Sequence, residues 1–129
     1  MIKIPQKYRA IFIYIPLAIY WSMLFLATSF PVDSIPSVGI SDKIEHFAAY
    51  AVLAFLLYMT LAAQEKVKVL AEKAFFFTFI IVTFYGIVDE LHQTLIPGRS
   101  CEFYDFVADF WGMLIGLLLV KIIRIEFTA

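Results

Sequence analysis

The chain has 129 residues, 63% of them hydrophobic and 16% charged, and its 10 basic and 11 acidic side chains leave a formal net charge of -1. A soluble domain is about half apolar and about a quarter charged, so one domain of this length could not hide 14 Phe, 7 Tyr and 2 Trp in its own interior, and the solvent for most of them is lipid. Balanced charge excludes nucleic acid as a partner, because counterion release needs a basic patch, and the lone Cys101 excludes an internal disulfide.

The chain starts basic, with Lys3, Lys7 and Arg9, and passes into an apolar run from Ala10 to Phe30. That run is longer than the apolar core of a cleavable signal, about 7–15 residues, and lacks a small-residue cleavage site, so it reads as a retained signal anchor and first membrane span. Pro31, Pro36 and Gly39 punctuate the loop after it. The second span runs from Ile44 to Ala63, and a polar connection follows from Gln64 to Lys73. The third occupies Ala74 to Gln93, or Ile96 if the helix runs on until Pro97 forbids it. The fourth runs from Phe106 to Ile123. Each is long enough to cross about 30 Å of hydrocarbon at about 1.5 Å per residue. The expected architecture is a single domain over 1–129, all-α, an integral membrane bundle of four transmembrane helices.

Basic residues near short loops are held on the cytoplasmic side. Lys3, Lys7, Arg9, Lys66, Lys68, Lys73, Lys121 and Arg124 flank one end of the spans, against Lys43 and Arg99 at the other. Both termini are therefore expected in the cytoplasm, with the loops around residues 31–43 and 94–105 facing outward.

The acids are distributed the opposite way. Of the 11, eight lie in or beside the outer loops: Asp33, Asp42, Glu45, Asp89, Glu90, Glu102, Asp105 and Asp109. His46 and His92 are there too. Counted from Ala74, Asp89 and Glu90 lie about 23 Å up the third span, within about 7 Å of the outer hydrocarbon edge. Several charges at that depth could not face lipid together. At about 100° per residue, Lys43, His46 and Tyr50 share about 60° of arc on span two; Asp89, Glu90 and Gln93 share about 100° on span three; Asp105, Asp109, Gly112 and Gly116 share about 60° on span four. The small-residue face that admits a close helix contact thus also carries two aspartates inward.

Two readings of this cluster stand side by side. In one it is structural: Lys43 and Arg99 pair with acids, Arg99 with Glu102 or Asp105, while Gln93 and His46 satisfy the remainder. In the other the excess of carboxylates over cations makes a site for a proton, a cation or a polar headgroup. A divalent cation could use His46, Glu90, Asp105 or Asp109, although no ligand pair has recognised spacing. Acid-base catalysis could use His46 with Glu90 or Asp89. Cys101 has only Arg99 beside it to favour a thiolate. In Ile96-Pro97-Gly98-Arg99-Ser100, Pro and Gly suit the centre of a type II turn that returns Arg99 over the pocket mouth, where a guanidinium is shaped to hold phosphate or carboxylate. Tyr20 and Trp21, near the middle of span one, read as packing.

The segment Ser41-Asp42-Lys43-Ile44-Glu45-His46-Phe47-Ala48-Ala49-Tyr50 through Leu53 resembles the opening motif of the VanZ-like membrane proteins. Asp89-Glu90-Leu91-His92-Gln93, Ile96-Pro97-Gly98-Arg99-Ser100, and Asp105, Asp109, Gly112 and Gly116 resemble the second half of its signature, so the likeness covers about 41–118. The resemblance implies a bacterial envelope protein, the founding member being associated with reduced susceptibility to teicoplanin, and it carries over Lys43, His46, Tyr50, Glu90, Gln93, Arg99, Asp105 and Asp109 as site residues. It names no reaction. The expectation is a multi-pass protein of the bacterial cytoplasmic membrane whose outward pocket binds the headgroup of a lipid or lipid-linked cell-wall precursor. Lys43 and Arg99 would hold its anionic part, with Tyr50, Asp89, Gln93, Asp105 and Asp109 as further binding groups. The alternative is a membrane hydrolase or transferase with His46 and Glu90 as acid-base pair. A cation-coupled transporter is disfavoured because the inner halves of the spans lack ionisable groups. Gly112 and Gly116 serve contacts within one chain or between two, so a homo-oligomer stays open.

Overall fold

The computed structural model describes residues 2–34, 39–123 and 125–128; Pro36 and Arg124 lie outside them. The elements are strand β1 (Ile2–Pro5), helices α1 (Ile15–Ser29), α2 (Asp42–Ala62), α3 (Lys68–Glu72), α4 (Ala74–Gln93) and α5 (Phe103–Ile123), and strand β2 (Ile125–Thr128). A widened π turn over Ala10–Tyr14 leads into α1, so the first helical segment runs Ala10–Ser29. Pro16 explains the widening: it has no N–H to offer the preceding turn, and the looser winding before it absorbs the loss. The four long helices are each long and apolar enough to cross a membrane. Two begin slightly before the expected span, α2 at Asp42 with Asp42 and Glu45 in its first turn, and α5 at Phe103 with Asp105 in its first turn. The third stops at Gln93, and the chain reaches Ile96 through tight turns rather than as continuing helix.

α2 is the central helix. Its residues Tyr50, Leu53, Ala54, Leu57 and Leu61 recur at helical spacing and are buried, packing with Val82 of α4 and with Met113 and Leu117 of α5. α1 is peripheral, with only Leu17 and Thr28 buried along it. Phe84, Trp111, Leu118 and Ile122 are exposed on the outside of the bundle, which suits a hydrocarbon surround and would expose a large apolar face to water.

The closest approach joins α2 to α5. A Cβ placed on Gly112 would run into the carbonyl of Phe47, and one on Gly116 into that of Ala51. The two backbones are therefore in contact along this seam, as small residues permit where lipid supplies no hydrophobic drive for association. Gly112 and Gly116 thus serve a contact inside the chain.

At the far end, β1 and β2 pair in parallel, from Ile2 with Ile125 to Pro5 with Thr128. No strand is expected there from the sequence. An even number of spans returns both chain ends to the same end of the bundle, where two short extended runs find each other. Arg9, 5% exposed, ties this end together by donating to the carbonyls of Ala63 (3.1 Å) and Thr128 (3.0 Å) and to Glu65 Oε1 (2.6 Å). Arg9 is thus a structural clasp between the chain ends and the connection after α2.

Candidate functional site

The first turns of α2 and α5 and the last turns of α4 meet at the opposite end of the bundle. Helix pitch puts Lys43, His46 and Tyr50 on the inner stripe of α2, and the Gly112 contact brings the Asp105–Asp109 stripe of α5 against it. His46 Nδ1 lies 2.8 Å from Asp109 Oδ1 and 4.0 Å from Glu90 Oε1. Its Nε2 lies 3.8 Å from both Asp105 Oδ2 and Asp42 Oδ1. Tyr50 donates its hydroxyl to Asp89 Oδ2 at 3.1 Å. The Glu102 backbone N–H donates to Glu90 Oε2 at 3.0 Å.

Lys43 is the cation of the cluster. Its ammonium is paired with Asp105, with Glu102 at 2.8 Å and with Asp42 at 3.5 Å. Asp105 is buried while Glu102 is open to solvent. The hydrogen bond from Lys43 holds the Glu102 carboxyl below the usual carboxylate range. A depressed folded value gives a contribution present above the ordinary Glu value and lost as pH falls through the lowered one. Carboxyl NMR of Glu102 should therefore give a midpoint below the ordinary glutamate value in the unmodified protein and a higher one in Lys43→Met; identical midpoints in both would mean that the pair is broken in solution.

Arg99 departs from both pairings expected for it. The type II turn forms, with Gly98 at φ 78° and Arg99 N–H donating to Ile96 O at 3.1 Å. The guanidinium, however, donates through Nε to Phe30 O and through a terminal nitrogen to Ala27 O, each at 2.8 Å. It closes open carbonyls at the end of α1, while Glu102 and Asp105 share Lys43 instead. His92 also leaves the cluster: its Nε2 is 3.0 Å from Ser29 Oγ, and its ring stacks on Phe25 with centroids 5.2 Å apart. Gln93 is buried, and its Nε2 has no hydrogen-bond partner among the described residues. It therefore does not supply the satisfying amide expected of it. Tyr20 donates to Ala49 O at 2.8 Å, and Trp21 meets Tyr85 edge to face, both joining α1 to the bundle. Cys101 is exposed.

A cavity of about 370 Å³ opens beside the cluster, between α1 and α2. Leu24, Ala27, Val32 and Ile40 form an apolar wall; His46, Tyr50 and Asp89 form a polar floor, with Asp42, Glu45 and Arg99 near the rim. Glu90, Asp105 and Asp109 lie behind His46 and do not line it. Asp42 is the residue that sequence reasoning under-used. It precedes His46 by four positions, so helix pitch alone places it over the imidazole.

Three buried carboxylate oxygens have no hydrogen-bond partner among the described residues: Asp89 Oδ1, Glu90 Oε1 and Asp109 Oδ2. Two trios bring ligand atoms within 4.8 Å of one another, Asp42 with His46 and Asp105, and His46 with Glu90 and Asp109.

These features define a small multi-pass membrane protein with a carboxylate- and histidine-rich site built into one end of its helix bundle. Residues 2–124 match the VanZ/LLP1 family model, and the chain belongs to that family. Neither the curated proteins nor the solved structures contain a match to it.

Proposed function

We propose that this protein sits in the bacterial cytoplasmic membrane, with both termini in the cytoplasm, and binds the polar headgroup of an envelope lipid or lipid-linked cell-wall precursor in the cavity between α1 and α2. The supporting observation is the two-sided character of that cavity: an apolar wall from Leu24 to Ile40 beside a floor of His46, Tyr50 and Asp89. Its volume of about 370 Å³ is that of a small-molecule site. Basic residues concentrated at the other end orient this end outward. Arg99 lines the rim of this cavity, and a guanidinium is shaped to hold a headgroup phosphate. Membership of the VanZ/LLP1 family fits an envelope role connected with susceptibility to lipoglycopeptides.

A catalytic reading is favoured by one observation, the 2.8 Å contact of His46 Nδ1 with Asp109. A carboxylate so placed orients an imidazole for acid-base work, and Glu90 would then be its second partner.

Native mass spectrometry with bacterial phospholipids tests the first reading. The unmodified protein should retain lipid, Ala27→Trp, which fills the cavity, should retain at least tenfold less, and Glu90→Gln should retain most of it. Equal retention by Ala27→Trp would overturn the cavity as the site. Turnover of a lipid substrate that Glu90→Gln abolishes while lipid stays bound would replace the binder by the enzyme.

A further inference from the structure

We infer that His46, Glu90 and Asp109 form a binding site for a divalent first-row transition-metal ion. The three side chains come from α2, α4 and α5, and each offers one atom within 4.8 Å of the others. Glu90 is 3% exposed and Asp109 1%. The backbone N–H of Glu102 anchors Glu90 Oε2 at 3.0 Å, which leaves Oε1 on the His46 side, 4.0 Å from Nδ1. Neither Glu90 Oε1 nor Asp109 Oδ2 has a hydrogen-bond partner among the described residues. Buried acceptors left in this state are costly.

Charge leads to the same place. Lys43 is committed to Asp105, Glu102 and Asp42, so Glu90 and Asp109 share one imidazole and no fixed cation. A dication would offset both carboxylates at a depth where unpaired charge is expensive. Ligand atoms about 2.1 Å from a tetrahedral ion stand about 3.4 Å apart. The observed 2.8 Å and 4.0 Å bracket that spacing, so small side-chain rotations would seat an ion. An imidazole nitrogen with two carboxylates selects Zn²⁺ or Mn²⁺ over Mg²⁺ and Ca²⁺. With Nδ1 given to the ion, Nε2 carries the proton on the side of Asp105 and Asp42; each is 3.8 Å away, beyond hydrogen-bond distance, so the ring must turn slightly before either carboxylate orients it as carboxylates orient histidine ligands. Three protein ligands leave a coordination position open. His46 also lines the cavity, so the ion would take an anionic oxygen of a bound headgroup; that last step alone rests on the proposed function.

The 129-residue chain in detergent, stripped with a chelator, should bind one equivalent of added Zn²⁺ or Mn²⁺, counted by metal analysis after desalting, and should prefer either ion to Mg²⁺ and Ca²⁺. Glu90→Gln and Asp109→Asn should each weaken binding about 10- to 100-fold, while Glu72→Gln, at the other end of the bundle, should leave it unchanged. Co²⁺ added to the unmodified protein should show the visible absorption of a bound rather than an aqueous ion, which decides the matter even if both carboxylate variants fail to fold. Absence of a stoichiometric transition metal, preference for Mg²⁺ or Ca²⁺, an aqueous Co²⁺ spectrum, or unchanged affinity in both folded variants would overturn the site. Lipid retention is read separately, so the metal site and the headgroup pocket succeed or fail independently.

Discussion

Replacing Gly112 by alanine is expected to drive α2 and α5 apart and to dismantle the site with them. The new Cβ would occupy the space of the Phe47 carbonyl, a backbone group that cannot rotate aside as a side chain can. Overpacking a core costs about 1–3 kcal/mol, and a backbone obstacle belongs at the upper end of that range. The consequence reaches further than stability because the same seam sets the His46–Asp109 and Lys43–Asp105 pairs face to face. Gly86→Ala is the control: its Cβ would meet Tyr50 Cε1 at 3.4 Å, a ring that can yield, and its cost should stay below about 1 kcal/mol. Reversible unfolding in mixed detergent micelles measures both, and imidazole NMR of His46 reports whether the Asp109 contact survives. Equal midpoints for the two variants would show that α2 and α5 do not touch at Gly112.

Lys43→Met should be far more damaging than loss of its exposed partner Glu102. Lys43 is part-exposed, with 39% of its side-chain surface open, but Asp105 retains only 5%. Removing the ammonium therefore strands a buried carboxylate; because Lys43 itself is part-exposed, the cost lies below that of a fully buried pair, at about 1–3 kcal/mol. Glu102→Gln removes only the exposed partner and should cost far less. The decisive comparison is the double variant Lys43→Met with Asp105→Asn. Taking away the carboxylate that needs compensation should recover much of the loss, giving a favourable coupling of about 1–2 kcal/mol in the mutant cycle. If Lys43→Met unfolds at the same detergent composition as Glu102→Gln, then Asp105 is solvated and the cluster is a surface network.

Both predictions begin from features legible in the amino-acid sequence. A helix repeats its geometry every 3.6 residues, so the stripe Lys43, His46, Tyr50 and the stripe Asp105, Asp109, Gly112, Gly116 are properties of local spacing. That they meet follows from the expense of pointing such groups at lipid. Local spacing carries no information about rotations between helices, however. It does not tell that His92, two positions from Glu90, turns toward Ser29 and Phe25. Nor does it place Arg99, whose turn is legible but whose partners, the carbonyls of Phe30 and Ala27, lie about 70 residues away along the chain.

Apolar length, charge distribution and helix pitch are enough to specify four lipid-crossing helices, the end of the bundle at which acidic and histidine side chains collect, and the glycine face that lets α5 approach closely. All three are local properties of the chain. The pairings belong to the folded bundle: Asp105 takes Lys43, Asp109 takes His46, Arg99 closes the end of α1, Glu90 is anchored by the Glu102 backbone, and the two chain ends join as strands. Each of those depends on how helices distant in sequence are packed and turned against one another, and no periodicity along a single helix encodes it.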